Sequence, residues 1–593
     1  MTRTILVCCG TGCIANGSLK TAGALRAEIA KTGAAATVET RVKQTGCHGL
    51  CEQSPLVTIM PDDIAYYKVR PEDAADIIAS IGQEPVERLL FKKDDGKRAQ
   101  SRHEHPFYAR QMKIVLRNVG IIDPDDINDY MAHGGYEALK KALAMTADAI
   151  ISEVEKSGLR GRGGAGFPTG RKWRIAAGYD SFPKYVIMNG DEGDPGAFMD
   201  CSLLEGDPHS VIEGLIISAL AIGAEKGFLY IRDEYGPALL HTQKALDDAE
   251  KAGILGASIM GSGKSLSLEI VRGGGAFVCG ESTALVSSIE GKPGEPRAKY
   301  IRTVEKGLFG QPTVLNNVET LANVPIIIRN GGEKFAAIGT PKSPGTKVFA
   351  LVGKVKRTGL VEVPMGITLR ELIYGIGGGI IRDRPFKCVQ TGGPSGGCIP
   401  AGLLDTAVDF DSLIEHGSMM GSGGMIVTDD HTCIVDFARY YANFLTGESC
   451  GKCTPCREGL RQLTTILSDI CEGKGRPDDL KLIEAICETM AEAALCGLGK
   501  SAPNPVMTTL KHFSEEYEEH IRDKRCRAGI CRALSRFAIS GEKCEGCGLC
   551  KKVCPVSAIE GTVKKTHAIN QDLCVKCGEC RDTCAFDAVS TME

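Results

Sequence analysis

Apolar and polar positions alternate in short runs along the first 85 residues, and these runs predict a small α/β domain. They predict a strand, a helix, two strands and a helix, in that order, at residues 4–7, 18–32, 37–40, 56–59 and 71–81. The next residues, 86–112, are rich in charge and offer little to bury, so they predict a linker.

Residues 113–342 alternate between apolar runs and helical periods. Runs at 185–188 and 228–231 are interleaved with helical segments near 137–156 and 208–225. This pattern predicts an α/β sheet with covering helices, a Rossmann-like arrangement in which ligands bind at the carboxyl ends of the strands.

Three further segments complete the chain. Residues 343–432 predict a compact α+β insert with a hairpin within 347–363 and a helix at 369–376. Residues 433–535 have the composition and period of a helical bundle, and 536–593 hold two copies of one cysteine motif. The predicted fold class is therefore multidomain α/β and α+β.

Composition and charge exclude several classes of function. The chain has 593 residues, and its 70 Lys plus Arg against 74 Asp plus Glu give a net charge of -4 without long blocks of one sign. Nucleic acid is therefore not an expected partner. The longest apolar stretch, 211–224, contains Glu213 and is shorter than the roughly 20 residues of a membrane-spanning helix. With no signal-peptide pattern at the N-terminus, we expect no membrane insertion and a cytoplasmic location.

The 26 cysteines indicate bound metal, because disulfides are rare in large proteins of that compartment. Two CxxCxxCxxxC runs near the C-terminus resemble a bacterial two-cluster ferredoxin. In that family each [4Fe–4S] cluster takes three thiolates from one run and the fourth from the other. The resemblance implies one ligand set of Cys544, Cys547, Cys550 and Cys584, and a second of Cys574, Cys577, Cys580 and Cys554. A pair of zinc sites is the alternative.

A third group of thiols lies in the predicted helical bundle. A CxxCxxC loop and one cysteine forty residues later supply four thiols, Cys450, Cys453, Cys456 and Cys496. The run ESCGKCTPCREG at 448–459 closely resembles the flavin-bearing subunit of respiratory complex I and its hydrogenase relatives. The resemblance implies a third [4Fe–4S] cluster here, and a β-grasp-like fold for the preceding insert.

The resemblance extends back over the glycine-rich middle of the chain. In the family, the loop GRGGAGFPTGRKW at 161–173 wraps FMN, with the phenylalanine on the nicotinamide side. The physics agrees, because glycines let N–H groups approach an anion and Arg162 and Lys172 supply charge. A helix rather than a strand precedes the loop, so it fails the dinucleotide fingerprint.

Three more segments, at 189–196, 274–285 and 315–320, match the flavin surroundings of the family. Plain glycine-rich turns are the alternative. The resemblance assigns hydride transfer to FMN itself, with no catalytic side chain and with Glu281 lining the pocket. The implied FMN and NAD(P) contacts are Gly161, Arg162, Gly163, Gly164, Phe167, Lys172, Asn189, Asp191, Glu192, Asp194, Phe277, Gly280, Glu281, Ser282, Lys299, Asn316, Asn317 and Thr320.

Two departures from the family bear on the nucleotide. Ser282 stands where a second glutamate is usual, and the segment from Lys299 to Arg302 lacks the proline and phenylalanine of complex I. Loss of a carboxylate and gain of a cation would accommodate a 2′-phosphate. The choice between NAD and NADP stays open.

The N-terminal cysteines are spaced CxxxxC and then CxxxC. They resemble the thioredoxin-like [2Fe–2S] domain of the same enzyme families, which implies one [2Fe–2S] cluster on Cys8, Cys13, Cys47 and Cys51. Cys9 is then an extra thiol. A thioredoxin-type redox thiol is the alternative.

A last set combines cysteines with a histidine. Cys471, His520, Cys526 and Cys531 form a Cys₃His set that suits a tetrahedral structural zinc, with ordinary buried cysteines as the alternative. Six other cysteines have no usable spacing and are expected to be packing residues: Cys201, Cys279, Cys388, Cys398, Cys433 and Cys487.

A hydride carries two electrons and an iron–sulfur cluster accepts one, so a flavin between them can split the pair. The resemblance covers essentially the whole chain and implies the flavin subunit of an NAD(P)-linked iron hydrogenase or formate dehydrogenase complex. It implies a higher hetero-oligomer with a catalytic subunit, a small [2Fe–2S] subunit and ferredoxin as partners, and leaves electron bifurcation open. The rival hypothesis is a non-enzymatic multi-cluster electron-transfer scaffold without flavin.

Overall fold

The structure is a computed structural model that describes residues 3–32, 40–93, 95–298 and 300–591. The chain forms two compact units. The first comprises 1–383, 390–393 and 402–427, and the second comprises 384–389, 394–401 and 428–593. Each unit contains a hydrophobic core of its own.

The first unit begins with the predicted α/β domain. Its four-stranded sheet has the order Thr40–Thr45, Arg3–Cys8, Val57–Met60 and Ile64–Tyr66, with the first pair parallel and the others antiparallel. Helices form at Thr11–Ala15, Ser18–Thr32 and Ala74–Ala79. Positions 37–39 of the predicted middle strand lie outside the described residues.

Residues 86–112, predicted to be a linker, are packed against this domain. Short elements form at Phe91–Lys92, Arg98–Ala99 and Pro106–Ala109. The imidazole of His105 is wholly buried, with its ring centroid 3.8 Å from that of Phe91, and Phe107 is also wholly buried. The linker prediction is corrected because these aromatic rings bury enough apolar surface to hold a charge-rich segment in place.

The centre of the first unit is the predicted α/β sheet, which has four parallel strands. Its strand order is Thr313–Asn317, Tyr185–Gly190, Lys226–Arg232 and Ser267–Gly273. Because all four strands run the same way, their carboxyl ends meet at one edge. The surrounding helices are Ile127–Ala132, Glu137–Leu143, Ala147–Lys156, Thr169–Ala177, Met199–Gly206, Pro208–Ile222, Gly236–Lys251, Ser282–Ile289, Thr303–Lys306, Val318–Asn330 and Gly332–Ala336.

The α+β insert follows this sheet. Strands Thr346–Gly353 and Gly359–Pro364 form the predicted antiparallel hairpin, and Gly424–Asp429 lies parallel to the first of them. Helical segments occur at Glu371–Ile376 and Phe410–Glu415. A buried ion pair between Lys347 and Glu319 joins the insert to the central domain.

The second unit carries the predicted helical region and the cysteine repeat. Its helices are Ile434–Glu448, Thr454–Cys471, Asp479–Ala493, Gly497–Ser501 and Asn504–Glu518, with most of the strand Phe386–Thr391 and the strand Cys398–Pro400 beside them. The repeat pairs Phe537–Ile539 with Val589–Thr591 and Ile559–Glu560 with Ala568–Ile569, and adds helices Leu549–Val553 and Glu579–Thr583.

Among the residues that the structure describes, no helix combines the length and the apolar character needed to cross a bilayer. No two of the 26 cysteines, all of them described, are joined by a disulfide. The thiols are therefore available to metal.

Candidate functional site

Three predicted flavin contacts cap helices at the carboxyl edge of the parallel sheet. Glu192 accepts hydrogen bonds from the first three N–H groups of its helix at 2.8–3.1 Å. Glu281 accepts from two N–H groups at 2.9 and 3.0 Å, and Asn317 from one at 3.0 Å. The capped helices are Met199–Gly206, Ser282–Ile289 and Val318–Asn330, respectively. Side-chain caps satisfy N–H groups that a helix leaves open, which fixes all three side chains at this edge.

Two buried carboxyls at this edge have perturbed acidity. Burial raises the pKa of Glu192 to about 7 and that of Asp194 to about 6. Asp194 also accepts a hydrogen bond of 2.5 Å from the hydroxyl of Ser422, which partly offsets the effect of burial on its pKa. Both groups can therefore exchange a proton near neutral pH.

Asn189 and Asp191 belong to one hydrogen-bonded network. Asn189 donates from Nδ2 to the carbonyl of Gly280 at 3.0 Å and accepts the N–H of Asp191 at 3.0 Å. Arg232 Nη1 lies 3.1 Å from Asp191 Oδ1. The sequence analysis missed Arg232, although its place at the end of the strand Lys226–Arg232 was a usable signal.

The glycine-rich loop packs its backbone against the segment after the edge strand. The N–H of Arg162 donates to Oγ1 of Thr320 at 2.8 Å. A Cβ on Gly163 would stand 2.8 Å from Cβ of Asn317, and Gly164 has a φ of +117°, a value that L side chains rarely adopt. Glycine is thus required here, and its lack of a side chain lets N–H groups approach a bound anion closely.

The two cations predicted to neutralise a phosphate have other partners. Arg162 is wholly buried, and its guanidinium donates to the carbonyls of Pro344 at 2.6 Å and Arg160 at 3.2 Å. Lys172 Nζ donates to the carbonyl of Leu315 at 2.8 Å, and burial lowers its pKa to about 8. These carbonyl contacts show that both cations support the loop from within, and their role toward a phosphate stays a prediction.

One buried donor at this edge lacks a partner. Asn316 is 3% exposed, and its Oδ1 accepts from the indole N–H of Trp173 at 3.0 Å. Its Nδ2 has no hydrogen-bond partner in the described part of the chain. In the glycine-rich loop, Phe167 is half-buried, with the guanidinium of Arg171 5.9 Å from its ring centroid. Glycine N–H groups, an open amide donor and an aromatic face fit a phosphorylated planar ring such as FMN.

The remaining predicted contacts are placed as follows. The ring of Phe277 packs on Gly193, where an added Cβ would come within 2.8 Å of it. Ser282 donates from its hydroxyl to Glu281 at 3.2 Å. Lys299 lies outside the described residues.

The N-terminal thiols come together where two parallel strands end: Cys8, Cys13, Cys47 and Cys51. The sulfur atoms of the first three lie within 4.8 Å of one another, and Cys51 contacts Cys47. The side chain of Cys9 instead contacts Ser18. Four close thiols fit a [2Fe–2S] cluster, in agreement with Cys9 as the extra thiol.

The four thiols of the helical region also face one another. Cys456 interacts with Cys453, Cys496 and Cys450, and burial raises its pKa to about 11. Gly499 makes room for this group, because a Cβ there would stand 2.8 Å from Cβ of Ala494 and 3.1 Å from Cβ of Cys456. This set fits a [4Fe–4S] cluster.

In one half of the C-terminal repeat, the fourth cysteine of the other run lies with the first three cysteines of this one. A single cavity is lined by Cys544, Cys547, Cys550 and Cys584. In the other half Cys580 lies beside Cys574 and Cys577.

In each half of the repeat, the sulfur of the fourth cysteine accepts a hydrogen bond from a backbone N–H group. The N–H of Ala558 donates to Cys554 Sγ at 3.2 Å, and the N–H of Ala588 donates to Cys584 Sγ at 3.4 Å. Hydrogen bonds to sulfur help to set the potential of a cluster. The repeat in sequence is therefore also a repeat in sulfur environment.

The Cys₃His set differs from the prediction in one member. The ligand atoms of Cys433, His520, Cys526 and Cys531 all lie within 4.8 Å of one another, whereas Cys471 contacts Cys531 from outside this group. Cys433, expected to be a packing residue, replaces Cys471. Its Sγ lies 3.3 Å from His520 Nε2 and 3.6 Å from Cys531 Sγ.

The orientation of His520 suits metal binding. Its Nδ1 lies 2.6 Å from the carbonyl oxygen of Glu516, so Nδ1 carries the proton and Nε2 turns its lone pair to the thiols. A backbone carbonyl that fixes the tautomer in this way is typical of metal-ligating histidines. The donor set fits zinc.

The fold and these sites define a flavin-binding iron–sulfur protein of the oxidoreductase class. Five family models match it, the first being the Nuo51 FMN-binding domain at residues 154–326. The others are a thioredoxin-like [2Fe-2S] ferredoxin at 2–82, an SLBB domain at 348–398, the iron-sulfur binding region of NADH-ubiquinone oxidoreductase-F at 436–520 and a 4Fe-4S dicluster domain at 543–588.

Similar proteins agree with these matches. The HndC subunit of the NADP-reducing hydrogenase of Solidesulfovibrio fructosivorans is 52% identical over 77% of this chain and 93% of its own length. The F 2 subunit of the NADH-quinone oxidoreductase of Rhizobium meliloti is 47% identical over 70% of this chain and 98% of its own. A solved NAD+-reducing [NiFe]-hydrogenase matches at a TM-score of 0.63 and 31% identity, over 88% of this chain and 84% of that one.

The chain belongs to the family of flavin subunits of hydrogenase and complex I-type assemblies. This confirms the predicted family and the predicted fold class, and it gives the chain an FMN-binding domain together with [2Fe–2S] and [4Fe–4S] domains.

Proposed function

We propose that this chain is the NAD(P)H-oxidising flavin subunit of a cytoplasmic hydrogenase-type complex. The observation that carries the proposal is the edge of the parallel sheet. There, the glycine loop packs on Asn317, Asn317 is hydrogen-bonded to Asp200, and Asp200 lies in the first turn of the helix whose N–H groups bind Glu192. The chain also gathers four sets of cysteines.

When bound, FMN supplies the ability to accept a hydride and to release single electrons. The residues of this chain hold and tune it. The N–H groups of the glycine loop would hold the phosphate, Asn316 Nδ2 would be free to donate to an oxygen of the flavin, and Phe167 would offer its face to the nicotinamide. Glu192 and Asp194 hold or release a proton beside the site near neutral pH.

The proposed metal content is three [4Fe–4S] clusters and one [2Fe–2S] cluster. They rest on the cysteine sets of the helical region, the C-terminal repeat and the N-terminal domain. A cluster on the Cys450 set would accept electrons from the flavin, and the clusters of the C-terminal repeat would extend the path to a partner.

Zinc at Cys433, His520, Cys526 and Cys531 has a structural role in this proposal. The loop between its last two cysteines receives the repeat, because Arg581 donates to the carbonyl of Ala528 and Thr591 Oγ1 donates to that of Arg527 at 3.3 Å. A metal that holds this loop in place therefore also stabilises the contact between the loop and the C-terminal repeat.

The proposed partners are a catalytic hydrogenase subunit, a small [2Fe–2S] subunit and ferredoxin. The names of the similar proteins support the first, since one is a subunit of an NADP-reducing hydrogenase and another is an NAD+-reducing hydrogenase. The equivalent subunit of a formate dehydrogenase is the alternative. Bifurcation is tested on the assembled complex, because full activity with ferredoxin or nucleotide alone excludes it.

The test of the function is anaerobic reduction of the purified chain by NADH and, separately, by NADPH. We expect bleaching of a bound flavin, dye reduction and the cluster signals, with one FMN and about fourteen iron atoms per chain. The ratio of the two rates identifies the nucleotide. Iron and sulfide without flavin would favour the rival scaffold, and a flavin that neither nucleotide bleaches would reject the proposal.

A further inference from the structure

One short helix touches both the flavin edge and the N-terminal cysteine loops. All eight residues of Met199–Gly206 are buried. Eight residues of α-helix span about 12 Å, so the helix links two redox sites across the distance of a few turns.

At its first turn the helix is tied to the flavin edge twice. Its N–H groups bind the carboxylate of Glu192, as described above. Its second residue, Asp200, accepts a hydrogen bond of 2.6 Å from Nδ2 of Asn317 and one of 3.3 Å from the N–H of Glu319. The carboxylate of Asp200 thereby orients the amide of Asn317.

At its last turn the helix is tied to both cysteine loops. Glu205, 4% exposed, accepts the backbone N–H of Thr11 at 2.9 Å and also its hydroxyl. Thr11 lies between Cys8 and Cys13. On the second loop, a Cβ on Gly46 would stand 2.4 Å from Cα of Gly206, so these two backbones are in direct contact.

We infer that Met199–Gly206 is a rigid connector that holds the N-terminal [2Fe–2S] cluster as a direct electron acceptor of the flavin site, with Glu205 as its positioning residue. The inference rests on the proposed function. Bound FMN would supply the two electrons of a hydride one at a time, and a cluster held by Cys8, Cys13, Cys47 and Cys51 would accept one of them, while the other would remain for the Cys450 set; no bond forms or breaks in the connector.

The charge of Glu205 has a second effect on the cluster. Reduction adds negative charge beside a carboxylate that is already buried, which disfavours the reduced cluster. Removing that carboxylate charge should therefore move the cluster potential in the positive direction.

The test compares Glu205→Ala and Glu205→Gln with the wild-type chain, each loaded with iron and FMN. Rapid freezing after mixing with NADH or NADPH, followed by electron paramagnetic resonance, gives the rate at which the [2Fe–2S] signal appears. We expect Glu205→Ala to slow it severalfold, because the loop of Cys8 and Cys13 then loses the two hydrogen bonds that Thr11 donates to Glu205. Dye reduction at the flavin should persist, and Glu205→Gln should show the positive shift in cluster potential.

Glu213→Gln is the matched control. Glu213 is equally buried in the same domain and accepts the N–H groups of Tyr136 and Leu139 at 3.0 and 2.9 Å, but it contacts neither cysteine loop. It should leave the rate of cluster reduction and the cluster potential unchanged.

Two milder variants, both at Thr11, allow the inference to be tested even if Glu205→Ala misfolds. Thr11 is exposed, so Thr11→Val removes only the hydroxyl contact with Glu205, and Thr11→Ser restores it. We expect slower cluster reduction in the first variant and recovery in the second. An intact cluster reduced at the wild-type rate in Glu205→Ala or Thr11→Val would overturn the inference, as would a wild-type cluster that stays oxidised after its flavin bleaches. Failure of the flavin to bleach would instead reject the proposed function.

Discussion

Replacing Gly163 by alanine should loosen the flavin without unfolding the chain. The new Cβ would stand 2.8 Å from Cβ and 3.3 Å from Cγ of Asn317, whereas relaxed carbon contacts lie at about 3.5–4.0 Å. One of the two groups must therefore move by several tenths of an ångström to about 1 Å.

This movement costs free energy because hydrogen bonds hold both polar atoms of the Asn317 side chain. Its Oδ1 accepts the N–H of Thr320 at 3.0 Å, and its Nδ2 donates to Asp200 at 2.6 Å. Overpacking of this kind costs about 1–3 kcal/mol, which corresponds to about 5- to 150-fold weaker FMN binding when the strain falls on the bound state.

The assay is reconstitution of flavin-free protein with FMN, followed by the quenching of flavin fluorescence. Gly178→Ala is the control, because a Cβ on this helix-capping glycine meets its nearest atoms at an ordinary 3.6 Å. Equal FMN affinity in Gly163→Ala and wild type would refute the placement of this loop against the flavin, as would an equal loss in both variants.

Three further predictions concern single residues. Cys433→Ser should lower the zinc content, measured by elemental analysis, from about one to below about 0.2 per chain, and Cys471→Ser should leave it unchanged. The opposite result would show that Cys471 rather than Cys433 is the fourth zinc ligand. Burial raises the pKa of Glu192 from 4.5 to about 7, so ionisation of this carboxyl lowers the free energy of unfolding. The loss increases as the pH rises from about 4.5 to 7 and levels off at about 3 kcal/mol. Melting curves should show Glu192→Gln gaining on wild type between pH 5 and pH 8, and a constant difference would contradict this. Asn316→Asp removes the open donor and should weaken FMN retention on gel filtration by about 5- to 150-fold, whereas unchanged retention would mean that Nδ2 does not face the flavin.

The cysteine motifs could be predicted from sequence because their ligands come from short loops of fixed spacing. Cys450, Cys453 and Cys456 lie within seven residues, so chain geometry alone keeps their thiols close. Cys433 carries no such signal. It lies 87 residues before His520, and only the packing of the helices between them brings its sulfur to the imidazole.

The predicted roles of the cations show a second limit. Residue type indicated that Arg162 and Lys172 carry charge, but not which acceptors they meet. In the structure these acceptors are backbone carbonyls, which no sequence pattern marks. For the same reason, the charged composition of 86–112 predicted a linker. Composition is an average over the segment, whereas its packing depends on a few individual aromatic side chains.

The position of Cys433 has a consequence for biogenesis. It caps the helix Ile434–Glu448, and the other three ligands of its set follow the helix Asn504–Glu518, so a bound ion would turn the whole stretch from 433 to 531 into a closed ring. Ring closure restricts the chain most when the loop is long. An ion bound early in biogenesis would therefore restrict the unfolded stretch, including the loop that carries Cys450, Cys453 and Cys456, before its helices pack.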